Sequence, residues 1–216
     1  MNRFEYWILE SAIEIRWPLS DLARDDHCLA MNRKTDHGMN FDQLFAVLRT
    51  LFDNGFLAGQ EVPARNMEDR HEEELPDIEG FVPNDNELLD ALRGVRRIDF
   101  QLTKKGGAVW ESVSKPNWDQ FVNFVDIGKL ISRCRDTLEE YTAMIRDWPS
   151  AQHINHQIEN IQPCQVTYWK SFPEGYLLTF APPEYESRMP PDEEERQKYH
   201  AWFIRVREGW YSNPFE

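Results

Sequence analysis

Three absences narrow the possibilities before any residue is singled out. No apolar run in the 216 residues approaches the roughly 18 to 20 that a membrane span requires. The opening stretch MNRFEYWILESAIEIRW carries Glu5, Glu10 and Glu14 where a signal peptide needs an unbroken apolar region. The expectation is a cytoplasmic protein with no membrane partner. Cysteine is scarce: Cys28, Cys134 and Cys164 are odd in number and far apart, as in buried thiols of a reducing compartment rather than a disulfide framework. Positive charge is also short. With 38 acids against 24 bases the net charge is -14, so the molecule as a whole exerts no long-range pull on nucleic acid or anionic lipid.

Other absences bear on chemistry. The chain holds no phosphate loop, no dinucleotide fingerprint and no nucleophile elbow, each of which depends on glycines or a nucleophile at fixed offsets. His153 and His156 with Cys164 supply at best half a zinc site, since structural zinc takes four ligands in tight pairs. His27, Cys28 and His37 form a second loose grouping. Cys28 beside His27 has the look of an activated thiolate, but neighbours on a helix point apart, and a buried thiol is the expected role. The expectation is no catalytic residue, no metal and no cofactor.

What is present is a core-forming chain, 41% hydrophobic and 13% aromatic with eight tryptophans, which offsets folding entropy by burial. Phe4, Trp7, Ile8, Ala12 and Ile15 recur at helical spacing and predict a first helix ending at Trp17, ahead of Pro18. Residues 20–24 suit a short second helix, 32–40 a loop, and Asn40 an N-cap. Phe41, Leu44, Phe45, Leu48, Leu51 and Phe52 predict a strong third helix, which Gly55 ends. A short helix is expected over 87–92 with Gly94 closing it, then a strand at Ile98, Phe100 and Leu102, then a turn at 104–107. In the second half the stripe Leu130, Ile131, Cys134, Leu138, Tyr141, Ile145 and Trp148 predicts a helix over 129–147. Residues 165–169 and 176–180 read as a hairpin with Gly175 at the turn, and Pro191 opens a last helix bearing Tyr199, Trp202, Phe203 and Val206.

Two separated segments, FDQLFAVLRTLFDNGFL at 41–57 and RIDFQLTKKGGAVWE at 97–111, carry a family likeness. Together they resemble the third helix, its glycine exit and the returning strand of the winged helix-turn-helix superfamily. The resemblance covers about residues 4–115 and implies a winged-helix-like N-terminal half, 1–125; joined without a Gly/Ser/Pro linker to the smaller helix, β-hairpin and helix read in the C-terminal half, 126–216, it gives the expectation of an α+β fold whose halves pack together. A long insertion at about 61–97 departs from the family's tight wing.

In DNA-binding members of that family the exposed side of the third helix reads base edges. Here that side offers Asp42, Gln43, Ala46, Arg49, Thr50 and Asp53, in which one arginine sits between two aspartates. Arg49, Arg96, Arg97, Lys104 and Lys105 are the candidate phosphate contacts under a DNA-binding reading. The preferred reading is a non-enzymatic binding or regulatory protein that recognises another, basic, protein through the acidic insertion, with Glu68, Asp69, Glu72, Glu73, Glu74, Asp77 and Glu79 as candidate partner-binding residues. A DNA-binding transcriptional regulator and an immunity-type neutraliser of a basic toxin are the alternatives. The 129–147 stripe is a candidate homodimer face. The tail WYSNPF at 210–215 either packs back on the body or serves an interface.

Overall fold

The computed structural model describes residues 1–13, 16–31, 33–62, 80–126, 129–146, 161–166, 169–179 and 193–215. It is α+β, with helices and two antiparallel sheets. The chain divides into two compact units, Met1–Ser112, with which Phe215 groups, and Val113–Pro214. The division falls ahead of the strand Val122–Asp126, whose paired strand comes next in the chain.

The first unit begins with helix α1, Arg3–Ser11, capped by Asn2. The Asn2 side chain accepts from the Phe4 and Glu5 amides, and the Glu5 carboxylate accepts from the Asn2 amide at 2.7 Å, satisfying amides that have no partner inside the helix. The helix does not run on to Trp17 as its spacing predicts. It ends at Ser11, and Trp17–Pro18 form an edge strand, β1, opposite Asp99 and Phe100. Two features account for this. The Trp17 indole Nε1–H donates to the Ser11 carbonyl at 2.9 Å, closing the helix end. Pro18, lacking an amide proton, is tolerated in a sheet at its edge.

Two one-turn helices come after β1, α2 (Leu19–Leu22) and α3 (His27–Ala30). Helix α4, Phe41–Asp53, has the expected Asn40 cap, completed by Gln43 in a capping box, and Gly55 lies just beyond it with φ 67°. Leu44, Leu48, Leu51 and Phe52 are its buried stripe. Strand β2, Leu57–Glu61, helix α5, Asp85–Leu92, and strand β3, Ile98–Leu102, come next, and the three strands order as β1-β3-β2.

The turn expected at 104–107 is absent. Helix α6, Lys104–Ser114, starts at the first lysine of that stretch, one residue beyond the end of β3 at Leu102 and Thr103. The reason is local: Thr103 Oγ1 accepts the Gly106 amide at 3.0 Å and donates to the Gly55 carbonyl at 2.7 Å, so Thr103 caps the helix while tying it to the end of α4. Gly106 makes this approach possible, because a Cβ there would lie 2.0 Å from the Phe56 carbonyl oxygen.

The second unit is built on a four-stranded antiparallel sheet, β4 (Val122–Asp126), β5 (Lys129–Ser132), β6 (Ile161–Gln165) and β7 (Glu174–Thr179), in the order β4-β5-β7-β6. The predicted helix over 129–147 is therefore corrected. Its first four residues are β5, and helix α7 spans only Arg135–Arg146. Leu130 and Ile131 are adjacent yet both buried, so β5 is covered on both faces. A strand so placed shows no polar alternation and imitates helical spacing. The buried Leu130, Ile131, Leu138 and Tyr141 are used inside this unit, with α7 packed on β4, β5 and β7. Trp148 and the rest of the stripe beyond 146 lie outside the described residues.

The expected hairpin is present as β6 and β7 but sits earlier on its first side, and Gly175 is within β7 opposite Cys164 rather than at the turn. A Cβ at 175 would meet the Ser132 carbonyl oxygen at 2.6 Å, so the glycine serves the close approach of β5. Helix α8, Glu193–Glu208, ends on Arg205 and Arg207, favourable for its dipole. Pro191 and the side chains of Tyr199, Trp202 and Phe203 lie outside the described residues. The tail packs back at Trp210 and at Phe215, the latter, though part-exposed, 5.2 Å from the Tyr6 ring. Trp210 is stacked on Trp118 at 5.4 Å and edge-on to Phe121 at 4.9 Å.

The Gly106 geometry yields a test. Gly106→Ala forces a methyl into a backbone carbonyl that cannot swing aside as a flexible side chain could, and it lowers unfolding stability by at least about 2 kcal/mol. Chemical denaturation of the variant beside the wild-type chain measures the loss, and an unchanged midpoint would contradict this close approach.

Candidate functional site

Of the basic side chains that a DNA-binding reading needs, Arg49, Arg96, Arg97 and Lys105 are engaged with the protein's own oxygens. Arg49, on α4, donates from Nη2 to Asp53 Oδ1 at 2.6 Å and from Nη1 to the Pro83 carbonyl, and that same Nη1 stands 3.5 Å from Asp85. Arg96 makes a two-pronged bond to Glu61, through Nε at 2.8 Å and Nη2 at 2.5 Å, and gives Nη1 to Glu87 at 2.8 Å. Arg97 pairs with Asp99 at 3.1 Å, and Lys105 donates to the Asn54 carbonyl at 2.8 Å while lying over the Phe56 ring. Lys104 is exposed at the first position of α6. The planar guanidinium fork is what makes arginine a good phosphate ligand. At Arg96 that fork is already closed on Glu61.

The same pairs set the local electrostatics. The Arg96 hydrogen bond holds the Glu61 carboxyl below its usual range, and the Asn84 amide, seconded by Arg96, does so for Glu87. In return the two carboxylates raise the Arg96 guanidinium further above its ordinary value. These groups face solvent, so the effect is a fixed pattern of charge rather than a large source of stability.

The acidic candidates Glu68, Asp69, Glu72, Glu73, Glu74, Asp77 and Glu79 lie outside the described residues. The two ends of their segment are described, and both sit on β2. On one side Val62 donates its amide to the Arg97 carbonyl at 3.2 Å. On the other Phe81 forms a bridge with Gly59, exchanging amide bonds of 2.8 and 3.0 Å. Gly80 is required for that return, since a Cβ would fall 2.4 Å from Ala58 Cβ. The sequence between these two described ends, 63–79, holds seven acids against two bases.

A second cluster lies in the same unit, where the stretch before α4 wraps α1. Glu10 and Arg33, both almost wholly buried, form an ion pair, and the Arg33 guanidinium lies 5.0 Å from the centre of the Trp7 ring. The Trp7 indole donates to the Thr35 carbonyl at 2.8 Å. Edge-on to Trp7 stand His27 and His37, their rings stacked 4.2 Å apart with planes inclined by 17°. His27 Nδ1 bonds the Arg24 carbonyl at 2.7 Å, and its Nε2, buried and without a hydrogen-bond partner, stands 3.2 Å from the exposed Asp36 carboxylate, off the line of a good bond. His37 is satisfied on both sides: Nε2 bonds the Leu22 carbonyl at 3.0 Å, and Nδ1 accepts the Met39 amide at 2.9 Å. Burial moves its pKa down. The Gly38 amide holds the Asp36 carboxyl below its ordinary range.

His27, Asp36 and His37 bring three ligand atoms within 4.8 Å of one another. Distance alone does not make them a metal centre. A nitrogen lone pair lies in the plane of its ring, and two nearly parallel rings 4.2 Å apart cannot aim both lone pairs at one ion bound at about 2.0 to 2.1 Å. The His37 lone pair is also occupied by Met39. Cys28 does not make the group a nucleophilic site either, because burial, with Asp36 adding, pushes its thiol up to about 11 and keeps it protonated at neutral pH. Cys164, on β6, is likewise raised by burial, and His153 and His156 lie outside the described residues. Sequence reasoning grouped His27, Cys28 and His37 but missed Asp36, Glu10 and Arg33. The available signal was an arginine and an aspartate flanking the histidine in a stretch otherwise read as plain loop.

Comparison with known proteins finds no matching family model, no similar curated protein and no similar solved structure. Among the described residues no helix is long and apolar enough to cross a membrane.

One equivalent of Zn²⁺ leaves the thermal midpoint unchanged in calorimetry, because no tight site forms without breaking the Met39 bond. A rise of several degrees, the mark of a ligand held by the native state alone, that is absent in His37→Asn would mean that His37 does give up that amide.

Proposed function

We propose that this chain is a non-enzymatic, cytoplasmic binding or regulatory protein that recognises a basic protein partner through its acidic surface, on a winged-helix-like scaffold. The scaffold reading is supported by the order helix, short strand, helices, strand, helix, strand in the first unit and by the sheet order β1-β3-β2. One observation carries the partner reading. The arginines at the positions where such a scaffold would grip phosphate are neutralised by Asp53, Glu61, Glu87 and Asp99, while the sequence that joins β2 to the Phe81 bridge, 63–79, carries seven acids against two bases. A cationic partner meets a field of one sign there, which speeds encounter and rejects polyanions. A neutraliser of a basic toxin is the special case in which that partner is strongly cationic.

The experiment has two arms. In fluorescence anisotropy at low salt, a random DNA duplex shows no binding at micromolar protein, the regime where non-specific affinity appears first. In a pull-down, a basic protein is retained, and retention is lost when Glu68, Glu72, Glu73 and Glu74 are changed to Gln. Recovery of DNA, or retention indifferent to those four substitutions, contradicts the reading.

A further inference from the structure

His37 joins more elements than any ring around it. Its Nε2–H reaches α2 through the Leu22 carbonyl, its edge meets Trp7 of α1, its face lies on His27 of α3, and its Nδ1 receives the Met39 amide one residue before the Asn40 cap of α4. One donor and one acceptor are demanded of the ring at once. Only the neutral imidazole with its proton on Nε2 meets both demands. A second proton has to be added at Nδ1, where it would point at an N–H that is itself a donor.

We propose that His37 is a proton-operated latch on the segment leading into α4: a proton added at Nδ1 expels the Met39 amide and frees residues 36–40, loosening the capped start of that helix. The charged and titratable groups around the ring agree with this direction. His27 faces it from α3, where its stacked ring adds to what burial does in holding His37 neutral. From α1 come Trp7 and, behind it, Glu10, whose charge is matched by Arg33. Asp36, 3.7 Å from Nδ1 on the same segment, favours the imidazolium, but it is exposed while the ring is buried, and burial is the larger influence on His37. In the open segment the ring has the ordinary imidazole value of about 6.5. The closed latch is therefore at full strength above that pH and weakens as pH falls below it, because the open form then binds a proton that the closed form refuses. Asp36 stays ionised throughout this window, since the Gly38 amide holds its carboxyl below the ordinary range.

The test is an NMR titration of the intact wild-type chain from pH 7.5 to 5.0. At pH 7.5 the ring nitrogens of His37 report the Nε2–H tautomer. The Met39 amide then loses its protection, measured against its intrinsic exchange rate, as pH falls, while Leu48 and Leu51 in the middle of α4 keep theirs. His37→Asn, whose side-chain oxygen can take the Met39 amide without titrating, makes that protection independent of pH over the same range. An Nδ1–H tautomer at pH 7.5, Met39 protection that holds as His37 titrates, or an unchanged pH-dependent loss in the Asn variant would each overturn the latch. The first two are read on the wild type and stand whether or not the variant folds.

Discussion

The first unit depends on a buried ion pair. Glu10 and Arg33 have 3% and 4% of their side chains exposed, and moving two such charges out of water costs several kcal/mol apiece unless each meets the other in good geometry. The unit is built so that they do. Arg33 also lies over Trp7, and its backbone amide donates to the Cys28 carbonyl at 2.7 Å, so the residue that closes the pair also folds its own segment. Around it Trp7 holds the Thr35 carbonyl and both imidazoles. The pair clamps a polar stretch with little apolar content onto the apolar helix α1, and α4 starts where that stretch ends.

Charge is handled differently at the surface. There the arginines answer carboxylates in water, where pairs contribute little to stability but determine what the surface presents. Arg49 and Arg96 each bridge two acids from separate elements. Arg49, Arg96 and Arg97 are thus turned to the protein's own carboxylates, while the sequence excess of acid is densest in 63–79.

Much of the first unit was legible because its signals are local. Asn40 with Gln43, Asn84 with Glu87, and the glycines at 55 and 94, both with positive φ, mark helix ends within a few residues. What escaped was decided by distant partners. Trp17 leaves the helical pattern because β3 pairs with it. Leu130 and Ile131 read as helix because burial on two faces erases the alternation that identifies a strand. Lys104 and Lys105 looked like a turn until Thr103 found Gly55, 48 residues away. The candidate site divides in the same way. Its acidic run was plain in composition, but the partners that neutralise Arg49 and Arg96 include Glu61, 35 residues from Arg96, and Asp85, further still from Arg49, and the Glu10–Arg33 pair joins two segments that no periodicity connects.

The most direct measurement is a double-mutant cycle on that pair, using denaturant unfolding of Glu10→Gln, Arg33→Met and the double variant. A clamp of the kind described predicts that each single change costs about 3 to 5 kcal/mol by leaving a buried charge unmatched, and that the double change costs clearly less than the two together. Single changes below about 1 kcal/mol that simply add would place Glu10 and Arg33 outside the core of the fold and contradict the account.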